Sequence, residues 1–254
     1  MENIIKRVHS TLSENNYIPL FYIESGSRLW GMESSNSDYD IRGFHLISKE
    51  KYFDFIKCRD LVEVLDGDFD FVSYDLDKMF NLMAKSNPTV LEWIRSDIIY
   101  FNDLPEFENF KNEILKNIDY KALFYHYVSL AKNQFSDNKD ITYKKILYVI
   151  RGILSATLAS QKQIPELKIR KMFEQFDKRN ELIDLGNICL AKKIQSEEKT
   201  YIEDENRDRF VLTVKNSLYK ISELYIESAA TKSNLIKVLS EYCIFLKSEK
   251  YNII

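Results

Sequence analysis

An apolar run that ends at a small-residue turn, with two aspartates a short way downstream, constrains this chain more than any other feature. Residues 18–23 have the apolar composition of a buried strand and lead to Gly26 and Ser27. Asp38 and Asp40 follow at strand spacing, so both carboxylates are expected on one face, about 7 Å apart along the chain. Paired carboxylates beside such a turn predict a site that holds divalent metal and phosphate, as phosphoryl transfer requires.

A third carboxylate is expected on an adjacent strand. Asp70 has apolar neighbours on both sides in the stretch 69–72, which is unusual for a solvated acid. Asp68 is the alternative, because it lies one strand period earlier and would share the same face. Its position in a hairpin turn around Gly67 favours a role in the turn, so Asp70 is the preferred third carboxylate.

These residues carry a resemblance to a known family. The glycine-serine pair followed by the two aspartates resembles the signature of the DNA polymerase β-type nucleotidyltransferase superfamily. The string GSRLWGMESSNSDYDIRG (26–43) is most similar to the RNA-ligase-associated nucleotidyltransferases, the RlaP group. FDFVSYDLDKMFNLMAKSNPTVLEWIRSDIIY (69–100) resembles the strand of that group's third carboxylate and the helices after it. KKILYVIRGIL (144–154) resembles its helical half, and the match covers roughly residues 20–160.

The resemblance implies a nucleotidyltransferase (EC 2.7.7 type) that moves NMP from an NTP to a hydroxyl acceptor and releases pyrophosphate. Asp38, Asp40 and Asp70 would be its catalytic and metal-binding residues, with two Mg²⁺ ions expected and Mn²⁺ as an alternative. Asp70 would receive the proton of the acceptor hydroxyl, directly or through the metal. An RNA end, such as a tRNA end in repair or tailing, is the favoured acceptor. A protein hydroxyl, a small molecule, or a regulatory nucleotide-binding module without turnover stay open as alternatives.

Small and cationic residues near the aspartates are expected to bind the nucleotide. Gly26 would let the backbone approach a phosphate closely, and Ser27 would hydrogen-bond to it. Arg28 lies next to the turn. Arg42 follows Asp40 by two residues on the same strand face, where it would contact the triphosphate or the acceptor, or else form a salt bridge with the aspartates.

A polar stripe on a later helix offers further nucleotide contacts. Lys144, Tyr148 and Arg151 recur at helical spacing opposite an apolar face. Together with the resemblance, this stripe predicts cations for the triphosphate and an aromatic surface for the base, and Lys145 is the alternative to Lys144. Trp30 is expected to be a buried aromatic residue, with base stacking as the other interpretation.

Local patterns predict an α+β chain with two domains, a catalytic domain over residues 1–103 and a helical nucleotide- and acceptor-binding domain over 104–254. By the resemblance, the first is a polymerase β-like mixed sheet with flanking helices, and the second is a C-terminal helical domain. Strands are predicted at 18–24, 38–47, 60–65 and 69–74. Helices are predicted at 2–13, from 75, 88–93, 106–117, 119–135, 140–161, 165–180, 181–196, 206–228 and 230–247.

The composition limits which binding partners and which cellular compartment are expected for the protein. The formal net charge is -3, so any RNA binding must come from a local basic patch. No apolar run approaches the ~18 residues that a membrane span needs, and no membrane partner is expected. The 3 cysteines are far apart in the sequence, which is typical of free thiols in a reducing cytoplasm.

Overall fold

The chain folds into two compact units. A computed structural model describes residues 2–135, 141–177, 179–195, 201–202, 204–227 and 232–252. Unit 1 consists of Met1–Leu29, Asp38–Asp119 and Ala230–Ile254, and unit 2 consists of Trp30–Ser37 and Tyr120–Ala229. The fold is α+β, as the sequence predicts, because unit 1 holds a mixed sheet and unit 2 is built mainly of helices.

Unit 1 is organised around a mixed sheet of five strands with the order β3-β4-β2-β1-β5. The central pair, β2 and β4, is parallel, and the other neighbouring strands are antiparallel. The strands are β1 (Tyr17–Glu24), β2 (Tyr39–Ile47), β3 (Leu61–Asp66), β4 (Phe69–Asp75) and β5 (Ile99–Asn102).

Helices precede, interrupt and follow the sheet. In chain order they are α1 (Glu2–Ser13), α2 (Gly26–Leu29), α3 (Lys49–Phe53), α4 (Leu76–Met83), α5 (Pro88–Trp93), α6 (Phe107–Lys116), α7 (Tyr120–Gln134), α8 (Tyr143–Ser160), α9 (Ile169–Glu174), α10 (Glu181–Gln195), α11 (Asp204–Ser222) and α12 (Lys232–Lys250). No helix in the described ranges is both long and apolar enough to cross a bilayer.

One face of the sheet is closed by α1. Val8 and Leu12 of this helix are buried against Tyr22, Ile41 and Phe71 from the three central strands. Because neighbouring side chains in a strand alternate between faces, the residues next to Ile41 and Phe71 lie on the opposite face. The polar ends of β2 and β4 are therefore kept out of this apolar core.

Unit 2 is centred on the packing of α7 against α8. A Cβ atom added at Gly152 of α8 would lie 2.9 Å from the Cβ atom of Ala131 on α7, so glycine permits a close approach of the two helices. Much of α8 is buried, including Ile150 and Leu154, and α10 and α11 also pack against it. The helix is thus the central element of unit 2.

The observed elements differ from the predicted ones at a few places. β2 begins at Tyr39 rather than at residue 38, and β5 and the short helices α2 and α3 were not predicted. The predicted helix over 165–180 is shorter, as α9 (Ile169–Glu174). The division into compact units also differs from a boundary at 103/104, because α6 and α12 belong to unit 1 with the sheet.

Candidate active site

Asp40 and Asp70 lie side by side on the two parallel central strands. Their Cα atoms are register partners, which places both side chains on the sheet face opposite α1. Nη2 of Arg42 is 3.0 Å from Oδ1 of Asp40 and 2.7 Å from Oδ2 of Asp70, so one cationic atom bridges both carboxylates. Nη1 of Arg42 also donates a hydrogen bond to the backbone carbonyl of Asp70, at 2.7 Å. Of the two positions expected for Arg42, this contact with the aspartates is the one seen in the structure.

The turn after β1 lies directly against Asp40. Gly26 has a φ of +58°, in the left-handed region that favours glycine, and a Cβ atom there would overlap the Asp40 carboxylate. Ser27 follows in α2 and is buried. The structure therefore brings the small-residue turn and one predicted catalytic carboxylate into contact.

Asp38 lies just before β2, and its side chain is exposed. Regular pairing of β2 begins at Tyr39, one residue later than predicted, and a shared face for Asp38 and Asp40 stays a prediction. The backbone carbonyl of Asp38 accepts a hydrogen bond from Nε of Arg28 at 3.3 Å, and the Arg28 guanidinium stacks 4.3 Å from the centre of the Tyr39 ring. Arg28 thus holds the segment that carries Asp38, whose own role as a metal ligand stays a prediction.

The turn between β3 and β4 separates the two candidates for the third carboxylate. Asp68 is exposed in this turn beside Gly67, and its backbone carbonyl accepts a hydrogen bond from the Tyr39 amide at 2.9 Å. Asp70 lies inside β4, next to Asp40. Position alone favours Asp70 for the site.

Glu24, which sequence reasoning did not select, lies directly beside this site. It is fully buried at the end of β1, and burial raises the pKa of its carboxyl group. One carboxylate oxygen accepts a hydrogen bond from the Asp40 amide at 3.0 Å, and the other accepts one from the Tyr100 hydroxyl. An acid at the end of an otherwise apolar strand, immediately before the turn, was the available signal.

A match to a family model decides the relationship of this chain to known proteins. The model described as RlaP, RNA repair pathway DNA polymerase beta family, matches residues 1–235. This chain belongs to the RlaP family. Membership identifies it as a polymerase β-like nucleotidyltransferase and confirms the resemblance inferred from the sequence.

Two proteins and one solved structure illustrate what this chain is similar to. It is 32% identical over 184 residues to the uncharacterized protein YcgL of Bacillus subtilis (strain 168), covering 70% of this chain and 71% of YcgL. It is 28% identical over 148 residues to the uncharacterized protein MJ0002 of Methanocaldococcus jannaschii, covering 56% of this chain and 60% of MJ0002. A crystal structure of a nucleotidyltransferase-like protein from Exiguobacterium sibiricum 255-15 aligns with 98% of this chain and 80% of its own, at 11% identity and a TM-score of 0.32.

The donor set around Arg42 suits a divalent metal ion that is completed by substrate. Asp40 and Asp70 already converge on a single cation, the Arg42 guanidinium, which marks the point that both carboxylates reach. Among the described residues, no three His, Cys, Asp or Glu side chains are placed to hold a metal ion. Mg²⁺ is commonly held by one or two carboxylates, with waters and substrate phosphates as its other ligands. Asp40 and Asp70 would supply the two carboxylates of such a site.

The remaining predicted nucleotide contacts lie in unit 2. Lys144 is exposed near the start of α8, Tyr148 is half-buried, and Arg151 is buried. The Arg151 guanidinium stacks 3.9 Å from the centre of the Trp30 ring, and Tyr148 meets Trp30 edge-on with ring centroids 5.4 Å apart. Tyr148, Arg151 and Trp30 therefore form one cluster, and their contact with a nucleotide stays a prediction.

Proposed function

We propose that this RlaP-family protein transfers NMP from an NTP to a hydroxyl group at an RNA end and releases pyrophosphate. The observation that carries the proposal is the paired placement of Asp40 and Asp70 beside the Gly26 turn. Two adjacent carboxylates offer the oxygen ligands that Mg²⁺ prefers, and the turn offers small residues that a phosphate can approach. Family membership supports nucleotidyl transfer as the reaction class.

The proposed reaction is an in-line displacement at the α-phosphorus. The acceptor oxygen forms a bond to this phosphorus as the bond to the bridging oxygen of the β-phosphate breaks, and pyrophosphate leaves with that electron pair. Asp70 takes up the proton of the acceptor hydroxyl. Asp40 shares with Asp70 the charge that holds the metal. When Mg²⁺ or Mn²⁺ is bound there, as one or two ions, it supplies positive charge to the triphosphate and makes the acceptor hydroxyl easier to deprotonate.

Other residues of the chain orient the nucleotide in this proposal. Gly26 lets the backbone approach a phosphate oxygen, and the Ser27 hydroxyl donates a hydrogen bond to one. Arg28 contributes charge next to the turn, and Asp38 adds a further carboxylate at the entry to β2. In unit 2, the cationic and aromatic side chains bind the triphosphate and the base; they are Lys144, Tyr148 and Arg151.

An RNA acceptor is favoured by the description of the family, which places it in an RNA repair pathway. The overall charge of -3 offers no general attraction for RNA, so specificity for an RNA end, such as that of a tRNA, must come from local contacts. The 3 cysteines are free thiols, which supports a reducing compartment such as the cytoplasm as the proposed place of action.

Labelling identifies both the reaction and the acceptor. Purified protein is incubated with each α-³²P-labelled NTP, Mg²⁺ or Mn²⁺, and total RNA or cell lysate, and the products are separated by class. Label in RNA supports the proposal. Label in protein or in a small molecule would show that this molecule, rather than RNA, is the acceptor. Absence of transfer with every nucleotide and both metals would contradict the nucleotidyl-transfer proposal.

Matched variants connect the reaction to this site. Asp70→Asn is expected to lower transfer more than about 100-fold, because even residues that only support a metal ligand contribute 10- to 100-fold. Asp68→Asn removes a carboxylate from the adjacent turn and is expected to stay within a few-fold of wild type. The opposite order of the two variants would assign the third carboxylate to Asp68.

A further inference from the structure

Glu24 has an unusual combination of complete burial and two directed contacts. Its side chain is buried at the end of β1, and its Oε1 atom accepts the Asp40 amide at 3.0 Å. Its Oε2 atom accepts the hydroxyl of Tyr100 on β5. Nε of Arg28 is 3.9 Å from Oε1, so the same oxygen faces a cation. Burying a carboxylate is unfavourable unless it is hydrogen-bonded or paired, and Glu24 has both kinds of contact.

The end of β1 explains why a side chain is needed at this place. Continuation of the β1–β2 register puts Ser25 opposite Asp40, and the Ser25 amide donates to the Asp40 carbonyl at 2.8 Å. The Ser25 carbonyl, which would accept the Asp40 amide in a continued ladder, instead accepts the Leu29 amide of α2 at 3.3 Å. The Glu24 carboxylate takes the place of that missing strand acceptor.

We propose that Glu24 is a positioning residue for Asp40. By accepting the Asp40 amide, it fixes the backbone from which the Asp40 carboxylate projects against the Gly26 turn. Tyr100 in turn fixes the Glu24 carboxylate. The inference rests on the proposed function, in which Asp40 binds the catalytic metal ion.

Binding of Mn²⁺ to the purified protein, followed by electron paramagnetic resonance, tests the inference without relying on turnover. Glu24→Leu is expected to weaken Mn²⁺ binding about 10- to 100-fold, the range seen when a group that orients a metal ligand is removed. Glu24→Gln is expected to retain most of the affinity, because its amide oxygen still accepts the Asp40 amide. Tyr100→Phe keeps Glu24 and removes its anchor, so a smaller loss is expected. It also serves if Glu24→Leu does not fold.

Tyr22→Phe is the matched control for a purely structural effect. It removes a buried hydroxyl from the same strand as Glu24, but that hydroxyl contacts Ser73, at 2.9 Å, rather than the site. It is expected to lower thermal stability and leave Mn²⁺ affinity unchanged. Unchanged Mn²⁺ affinity in both Glu24→Leu and Tyr100→Phe would overturn the inference, as would an equal loss in Tyr22→Phe.

Steady-state transfer provides a second readout that separates positioning from folding. Glu24→Leu is expected to lower kcat about 100-fold with little change in KM for the NTP, because small misplacements of a reacting group act mainly on the chemical step. A change in KM alone would contradict the role. The Mn²⁺ measurement evaluates Glu24, whereas label transfer by the wild-type protein evaluates the reaction itself. A wild-type protein that binds Mn²⁺ but transfers no label would refute only the reaction.

Discussion

At the scale of single residues, Gly26 combines a left-handed backbone with direct contact to a predicted catalytic carboxylate. Alanine at a φ near +58° costs about 1–2 kcal/mol, and the added Cβ atom would also displace the Asp40 side chain. We therefore expect Gly26→Ala to lower the free energy of unfolding by at least about 1 kcal/mol and to lower transfer about 100-fold. Urea unfolding and label transfer measure the two effects.

Gly67 supplies the control for backbone strain alone. Its φ is +57°, nearly the same as that of Gly26, but a Cβ atom there meets nothing within 4 Å. Gly67→Ala is expected to lose about 1 kcal/mol of stability and to keep its transfer activity. Equal loss of activity in both variants would show that strain, rather than contact with Asp40, limits the Gly26 variant.

Arg42 provides a second prediction at this scale. It bridges two carboxylates that would otherwise repel each other, and the side chains of Asp40 and Asp70 are only 27% and 32% exposed. Arg42→Gln is expected to cost about 1 kcal/mol in metal-free buffer, because partly exposed ion pairs contribute little more. Saturating Mg²⁺ should raise the Tm of the variant more than that of wild type, because a metal ion replaces the missing charge and binds only the folded state.

Differential scanning fluorimetry with and without Mg²⁺ measures this effect. Arg179→Gln is the control, since Arg179 pairs with the adjacent Asp177 on the surface of unit 2, where its side chain is 91% exposed. A Mg²⁺-induced rise in Tm no larger for Arg42→Gln than for wild type would contradict a metal site between Asp40 and Asp70.

The placement of single residues can be predicted where a short pattern determines local structure. Asp70 could be selected from its apolar flanks, and its closeness to Asp40 followed once both were assigned to neighbouring strands. The acid at the end of an apolar strand marks Glu24 as unusual, but its role could not be predicted, because that role depends on the loss of a ladder acceptor where the chain turns at Ser25 into α2. That loss is a property of pairing between distant segments, which one strand's sequence does not encode.

At the scale of elements, local sequence patterns determine some strands and helices, whereas tertiary contacts determine others. Local sequence patterns located β1, β2, β3, β4 and most helices. The Asp75 side chain caps α4 by accepting the Asp77 amide. β5 was missed because its residues, Ile99–Asn102, form a short edge strand that is defined mainly by pairing with β1. Likewise, the parallel pairing of β2 with β4 arises from tertiary contacts rather than from the pattern of either strand.

A buried histidine links three strands of the sheet and predicts an acid sensitivity. Nδ1 of His45 on β2 is 2.7 Å from the Ser73 hydroxyl on β4, which is also 2.9 Å from the Tyr22 hydroxyl on β1. Burial lowers the pKa of His45 from 6.5 to about 4. Between these pH values the unfolded chain binds a proton that the folded chain does not. His45 therefore makes its full contribution to the free energy of unfolding above about pH 6.5, and this contribution is lost as the pH falls towards 4.

Removal of the titrating group should remove this pH dependence. The lowering of the His45 pKa from 6.5 to about 4 corresponds to a loss of about 3 kcal/mol in the free energy of unfolding between these two pH values. His45→Asn keeps a polar atom near Ser73 but does not titrate, so its free energy of unfolding should depend less steeply on pH between 4 and 6.5 than that of wild type. Urea unfolding at several pH values measures both slopes, and equal slopes would show that His45 is not the responsible group.

At the scale of the whole molecule, the C-terminal helix belongs to the unit that carries the sheet. Tyr242 of α12 stacks on Phe110 of α6, with ring centroids 3.8 Å apart. Lys247 pairs with Asp77 of α4, and the Tyr251 hydroxyl donates to the Ile47 carbonyl of β2 at 2.6 Å. The sequence predicted the helix itself but not its partner, because a helical pattern identifies a buried face without identifying what covers it.

This arrangement predicts that the stability of unit 1 depends on the last residues of the chain. Leu246 of α12 is fully buried, so Leu246→Ala is expected to cost about 2–5 kcal/mol, the usual range for truncating a buried leucine. Ile244 lies on the same helix with 67% of its surface exposed, and Ile244→Ala should stay within about 0.5 kcal/mol of wild type. Because α12 contributes no residue to the proposed site, transfer by Leu246→Ala should fall only in proportion to its folded fraction. Urea unfolding together with activity per folded molecule measures both effects. If fully folded Leu246→Ala protein were less active per molecule than wild type, α12 would instead take a direct part in the reaction.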